Sequence, residues 1–533
     1  MLSTRFVLIV ALLLLPLLCP LKMSAQTDFD ALWQRHEALT KERKTRDASA
    51  LMDTILQKAK AERATPHYVR AVGYVAKYQV KLEDEESVKN LFAFLDKEIE
   101  DSYFPARPLL MVSTADVYWT YYERNRWRFM ERGETDNPDM ADVSTWDLRT
   151  LSDHVRALYL GALAEADKLQ AISSEDYKAL LAGGSSFTVK RQSDLNPAKG
   201  TRRGDHLFLL QYGEIDKLDK MLLRPTLYDM VAFKALEFFR NHETGLTQAA
   251  ETFQLDNPAV LHTSQAFLDL NLTTPDSSSH TFWAATLFQD LLRFHTARKS
   301  DPHLLVELET DRLAWAEDKA VRIDDKPERY FEALQKLEEL HRNHPASTIV
   351  THKIAQHLRA NLNPREGVTL QAVDEKCAGA LERFPRSIGA YRCFGMRIEL
   401  RLPELNTAAL NVNPTQQHLP IEVGYKGFDT AYWRLLKLTD QQRETYVEER
   451  YQDKKVKYLK SLDPMRAGKW ALPQKDDLHK HSLHQALEPL PPGYYVLLAS
   501  DNPAFSNEAT LLKSLDDVSK SRGIITYKGF QVS

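Results

Sequence analysis

Cysteine is nearly missing: the chain has 3 in 533 residues, too few to build a disulfide framework. Glycine is scarce as well, at 19 residues, roughly half the usual frequency. Sandwiches and α/β sheets need many turn glycines, so this shortage favours helices. Neither charge sign dominates. Lys and Arg number 70 against 74 Asp and Glu, a formal net charge of −4. With no basic surplus to hold a phosphate backbone, nucleic acid is not an expected partner. A Gly-rich phosphate loop, a His-Glu-x-x-His pair and a Gly-x-Ser-x-Gly elbow are all missing, which removes the commonest signatures of nucleotide hydrolases, zinc peptidases and α/β-hydrolases. What remains is 43% hydrophobic and 27% charged, an ordinary globular composition long enough for two to four domains.

The one long apolar run lies at the start. Arg5 precedes Phe6–Leu21, which is broken by Pro16 and Pro20, and Ala25 stands before Gln26. A short basic segment, an apolar stretch and a small residue read as a secretory signal peptide over residues 1–25, cleaved after Ala25. The run is about 16 residues, short of the roughly 20 that a membrane span needs. The expected location is therefore exported: periplasmic, cell-envelope or secreted, with no membrane span once the signal is gone.

From residue 26 to 402 apolar residues recur at helical spacing. Leu51, Ile55 and Ala59 share one face, and after Thr65-Pro66 the pattern resumes through Tyr68, Val72 and Val75, as in two antiparallel helices with a short joint. Further helical patterns cover 88–100, 108–132, 147–170, 225–241, 246–254, 279–298, 327–343, 348–361, 368–383 and 387–401. The polar stretch Gly183–Gly204 reads as a loop. Leu337–Ser347 matches Cys377–Ser387 at a period of 40, with a helix ending before Pro and a Ser placed to cap the next. Ala355 and Gly395 repeat a small residue at the same later position. This is the pattern of stacked, tetratricopeptide-like hairpins, although that repeat is usually 34 residues long.

After residue 402 proline doubles in density, with 9 in residues 403–533 against 13 in 26–402. Strand-like runs appear at Leu419–Tyr425, Ala431–Leu438, Gly493–Ser500 and Gly523–Val532, with a charged helix over Thr439–Leu462. Gly493–Ser500 is apolar on both faces, as in a central strand of a packed sandwich. The chain ends inside the last of these runs.

Candidate chemistry is sparse. Asp476, Asp477, His479, His481 and His484 have metal-ligand spacing, but an exposed polar linker ahead of the Pro489–Pro492 turn accounts for them better. Arg203-Gly204-Asp205 copies an adhesion tripeptide. Asp229 sits in an apolar helix, where a helix end or an Arg would satisfy it. Trp119, Tyr121, Tyr122, Trp127 and Phe129 form an aromatic stretch that suits core packing. No catalytic residue, metal site or cofactor is assigned, and the chain reads as no enzyme. Cys377 lies 383 − 377 = 6 residues before one expected helix end, and Cys393 lies 393 − 387 = 6 after the next start. Equal offsets place them at one height in an antiparallel pair, so Cys377 and Cys393 form a possible disulfide in an oxidising compartment.

Three ordered segments carry a resemblance. The first is Leu223-Arg224-Pro225-Thr226-Leu227-Tyr228-Asp229-Met230-Val231-Ala232 with Ala235–Phe239, preceded by Ser144-Thr145-Trp146-Asp147. The second is Arg383-Phe384-Pro385-Arg386-Ser387 with Cys393. The third is Val423-Gly424-Tyr425-Lys426, then Tyr432-Trp433-Arg434, then Pro492–Ser500. Together they resemble the N-terminal region of large bacterial alpha-2-macroglobulin-like proteins, with Gly427 where that family leads one to expect Asn. The resemblance implies an endopeptidase inhibitor that traps proteases, with proteases or envelope proteins as partners. It also implies a macroglobulin-type β-sandwich at 403–533, incomplete here, after a mainly α domain at 26–402, as the front of a longer protein. Its bait and thioester elements have no counterpart in this sequence, since no Gln follows Lys376-Cys377-Ala378-Gly379 at the required spacing. The alternative is a stand-alone helical-repeat interaction module of the cell envelope. Export is checked by mass spectrometry of the mature N-terminus: it should begin at Gln26, and an intact Met1 on a cytoplasmic protein contradicts it.

Overall fold

The computed structural model describes residues 19–79, 85–133, 135, 137–177, 180, 224–241, 243, 253–473, 475, 477–506 and 523–533. The first 18 residues of the expected signal, Arg203-Gly204-Asp205, Asp476 and most of the expected 246–254 helix lie outside these. The described residues divide into two compact units, one up to Lys326 and one from Pro327. The chain is helical first and β-rich last. The change falls between Arg401 and Glu404, so the second unit contains helices as well as strands.

The main helices of the first unit are α1 (Cys19–Lys41), α2 (Thr45–Ala61), α3 (Thr65–Gln79), α4 (Glu85–Glu100), α5 (Ala106–Arg124), α6 (Arg126–Glu131), α7 (Leu148–Leu163), α8 (Leu227–Phe239), α9 (His280–Arg298) and α10 (Pro302–Lys319). The expected 50–60 and 66–76 pair is α2 and α3. Met52, Ile55, Leu56 and Ala59 of α2 meet the buried face of α3, which carries Tyr68, Val72 and Val75. α1 runs across the expected cleavage point after Ala25. Packing then proceeds along the chain, α3 on α5, α5 on α7, α7 on α8, α8 on α9 and α9 on α10.

The single helix expected at 108–132 breaks at Asn125, whose side-chain amide caps the Tyr121 carbonyl at 2.9 Å while its backbone N–H closes the last turn of α5. Helix α10 carried no expectation. Its buried set includes Glu309, Thr310 and Arg312 beside Leu308, Leu313 and Trp315, so charged residues interrupt the apolar stripe that periodicity relies on. Arg312 is fully buried. Its guanidinium donates to Glu309 (2.8 Å) and to the carbonyls of Val260 (2.6 Å) and His262 (2.8 Å), and lies over the Phe267 ring. It thereby fastens the 257–263 segment to α10 through charge-assisted bonds.

The second unit opens with α11 (Lys326–Leu340), α12 (Ser347–Ala360), α13 (Leu370–Arg383) and α14 (Ile388–Arg401). Of the two serines matched at period 40, Ser387 caps α14, its hydroxyl accepting from Ala390 N, whereas Ser347 falls one residue inside α12, after the Ala346 N-cap, and makes no capping hydrogen bond. The two starts touch: the Thr348 and Ser387 hydroxyls are 2.7 Å apart. Gly389 makes this approach possible, because a Cβ there would overlap the backbone of Thr348 and Ile349.

The strands form two facing sheets. One holds β1 (Glu404–Ala408), β3 (Leu419–Lys426) and β6 (His481–Leu487) in the order β1-β3-β6. The other holds β2 (Val412–Asn413), β4 (Thr430–Leu438), β5 (Arg466–Ala471), β7 (Gly493–Ser500) and β8 (Ile525–Val532) in the order β2-β8-β7-β4-β5. All pairings are antiparallel except β2 with β8. Ile421, Val423 and Tyr425 face Leu435, Leu497 and Phe530 across the core. Gly427 turns the chain from β3 in one sheet to β4 in the other at φ +82°, a left-handed position that Gly and Asn share most readily.

Strand β7 is central, as its sequence implied, but its second face is covered differently from a simple sandwich. The expected 439–462 helix is two helices, α15 (Asp440–Glu448) and α16 (Gln452–Ser461). Tyr446 and Leu459 cover Leu436, Val496 and Leu498. The 477–484 segment is not a linker: His481 and His484 lie on edge strand β6, three residues apart and on opposite faces. At the far end of β7 the buried Asp501 carboxylate accepts the N–H groups of Gly523 (2.8 Å) and Ile524 (2.9 Å), fixing the entry to β8.

Gly→Ala in an open helix stabilises by up to about 1 kcal/mol. At Gly389 the sign should reverse, with Gly389→Ala costing about 1–3 kcal/mol through overpacking. A denaturant midpoint that rises instead would contradict the close α12–α14 approach.

Candidate functional site

The segment Thr226–Asp229 starts α8 with a capping box: Thr226 Oγ1 accepts from Asp229 N, and Asp229 Oδ2 accepts from Thr226 N at 2.9 Å. Oδ2 also accepts the Thr226 hydroxyl at 2.7 Å, and Oδ1 lies 2.7 Å from His295 Nε2. His295 Nδ1 is 2.9 Å from Ser300 Oγ, just past the left-handed Lys299 that ends α9. Asp229 and His295 are fully buried. Serine, histidine and carboxylate thus stand in line, but the line joins the start of α8 to the end of α9. With Nε2–H donated to the carboxylate, Nδ1 is left to accept from Ser300, and every polar group is used. The expectation that a helix end satisfies Asp229 agrees with this geometry, and the outside partner is a histidine rather than an arginine.

A second buried group crosses three helices. Asp116 on α5 accepts from Tyr159 of α7 at 2.6 Å and pairs with Lys234 of α8 at 3.1 Å. Burial pushes the Asp116 carboxyl up to about 6, with Lys234 pulling the other way, and the same burial drives the Tyr159 phenol well up. His280 on α9 lies against Phe238 and Phe239 and meets Ser152 of α7 at 3.2 Å. Burial lowers its pKa to about 3, helped by the Arg156 charge. Of the aromatic stretch, Trp119, Tyr121, Tyr122 and Phe129 are buried, with Trp119 edge-on to Phe238, whereas Trp127 is 64% exposed.

In the second unit Cys377 of α13 and Cys393 of α14 meet in one buried cluster with Ala355, Val373, Ala380, Met396 and Leu400. Equal offsets from the helix ends therefore bring them together. Both are free thiols, and Cys377 donates to Met396 Sδ at 3.7 Å. The bond to Cys377 and burial hold the Cys393 thiol far above the usual range. Nearby, a cleft of about 260 Å³ is lined by α11, α12 and α13. At its centre Glu338 pairs with Lys376 (2.8 Å) and Arg383 (3.3 Å) and accepts from Thr351. These partners outweigh burial and hold its carboxyl below the usual value. The cleft is polar and internally charge-matched, which suits a protein surface more than an apolar ligand.

The histidine-rich segment does not converge. Asp477 Oδ1 binds His481 at 2.8 Å and the His479 N–H at 3.0 Å, while His484 points to the other side of β6. Among the described residues no three His, Cys, Asp or Glu side chains gather as metal ligands. No helix there is long and apolar enough to cross a membrane. Sequence reasoning missed His295, Lys234, Glu338 and Met396. Each lies far along the chain from the group it serves or within an ordinary amphipathic pattern, so no local signal marks it.

No protein-family model matches the chain, and no curated protein matches it.

His280 gives a pH test. Its folded value lies below the ordinary 6.5, so the stability it contributes is present above 6.5 and lost as pH falls toward 3. His280→Gln should remove a part of that acid slope on the order of a few kcal/mol, read from denaturant midpoints between pH 7 and 4. Equal slopes in both proteins would contradict it.

Proposed function

We propose that this chain is a non-catalytic N-terminal portion of an exported alpha-2-macroglobulin-like endopeptidase inhibitor. The observation that carries the reading is where the family-like segments fall. Trp146 is buried against Tyr118 and Asp147 caps α7. Thr226–Phe239 is α8 with its capping box. Ser387 caps α14. Val423–Lys426, Tyr432–Arg434 and Gly493–Ser500 lie on β3, β4 and β7 of the facing sheets. The segments that carry the resemblance are thus those that frame the helices and fill the sandwich. The buried Asp229–His295 and Asp116–Tyr159–Lys234 groups of the first unit tie helices together, which favours a supporting role over catalysis. The charged cleft of α11–α13 favours a second reading, a helical module that binds envelope proteins.

The test uses the native product, tagged at its own locus so that its reading frame is kept whole, together with the 533-residue chain alone. The native product should stop endopeptidases from digesting a large protein while leaving cleavage of a small chromogenic amide intact. The chain alone should neither inhibit nor turn over peptide, ester or nucleotide substrates. Unimpeded digestion by the native product would overturn the inhibitor reading, and turnover by the chain would overturn the non-catalytic one.

A further inference from the structure

The core between α13 and α14 gathers three sulfur atoms. Cys377 comes from α13, and Cys393 and Met396 come from α14, where a spacing of three residues places them on one helix face. Cys377 Sγ lies 3.7 Å from Met396 Sδ, and Cys393 packs in the same buried cluster. Both cysteines are fully buried and Met396 nearly so. The residues around them are apolar and mostly small: Ala355, Val373, Ala380 and Leu400.

We infer that Cys377, Cys393 and Met396 form a binding site for one soft monovalent metal ion, Cu(I), with two thiolates and one thioether as ligands. The distances suit it. At a metal–sulfur length of about 2.3 Å, as for zinc thiolates, three sulfurs around one ion in a plane stand about 4.0 Å apart, a small outward step for the Cys377–Met396 pair at 3.7 Å. The donors suit it. Thiolate and thioether select soft ions, and the side chains packed directly around the three sulfurs are apolar. The charge suits it. Two thiolates and Cu(I) sum to −1; the buried Arg392 offsets that charge beside Cys393, while the Glu338 carboxylate opposes it. Binding leaves copper as Cu(I): two S–H bonds lose their protons to solvent, two Cu–S(thiolate) bonds and one Cu–S(thioether) bond form, and nothing is oxidised. The metal must displace protons from thiols that burial otherwise keeps neutral, so affinity should rise with pH.

The site lies outside the usual His, Cys, Asp and Glu donor set because its third ligand is a methionine. It also competes with the disulfide that the same two cysteines could form. The inference uses only this hairpin, so its failure leaves the inhibitor proposal untouched, and the reverse holds as well.

The test titrates acetonitrile-stabilised Cu(I) anaerobically into the intact, fully reduced chain, against bicinchoninate as a coloured competitor. One Cu(I) per chain should be withdrawn from the chelator, with new thiolate-to-copper absorption in the ultraviolet. Cys377→Ser and Cys393→Ser should each abolish both signals. Met396→Leu removes a direct ligand and should weaken binding by at least the roughly 10–100-fold that loss of an outer-shell contact costs. Circular dichroism of each variant checks that the helices remain. Failure of folded, reduced protein to compete with bicinchoninate would overturn the site, as would undiminished binding in Cys393→Ser. A Cys377–Cys393 disulfide that resists reduction until the protein unfolds would overturn it too.

Discussion

A buried carboxylate cannot stand alone, and the Asp229 carboxylate shows how the first unit answers that demand. Deep in apolar surroundings, both of its oxygens need donors. It takes the N–H and hydroxyl of Thr226 on one oxygen and the His295 ring on the other. The same requirement that caps α8 therefore also fixes where α9 ends, through His295 and Ser300. Asp116 repeats the solution across α5, α7 and α8, and Arg312 does so with the opposite charge. In the second unit Asp501 uses backbone N–H groups as its donors. Such groups act as positional locks: each tolerates one arrangement of its neighbours, because any other leaves a charge unpaired.

Much of the fold was legible because most elements obey one simple rule each. Helices α2 and α3 show a clean apolar stripe, and Ser387 announces a helix start. The central strands β3, β4, β7 and β8 are rich in Val, Leu, Tyr and Phe. What escaped breaks those rules for a physical reason. Helix α10 buries Glu309 and Arg312 against each other, so its stripe looks charged. Strands β5 and β6 are sheet edges, where one backbone side is unpaired and lysine, arginine and histidine are tolerated. Their sequences resemble loops for that reason.

The candidate sites divide along the same line. Proximity of Cys377 and Cys393 followed from counting residues from two helix ends, because an antiparallel hairpin turns sequence offset into height. The presence of Met396 did not follow, because a methionine on an apolar face looks like packing until its sulfur is located. The pairing of Asp229 with His295 spans 66 residues and two helices, and no local pattern encodes it.

The helical cover over the five-stranded sheet has a consequence for the order in which the chain is made. Strand β7 is apolar on both faces and lacks charge from Tyr494 to Ser500, the composition of an aggregation-prone segment. Its cover, α15 and α16, and its neighbour β4 all precede it in the chain. During synthesis from the N-terminus, β7 leaves the ribosome after the surfaces that will bury both its faces and one of its edges already exist. Only its pairing with β8 must wait. The segment at greatest risk of misassociation is thus exposed for the shortest time, through nothing more than its place in the sequence.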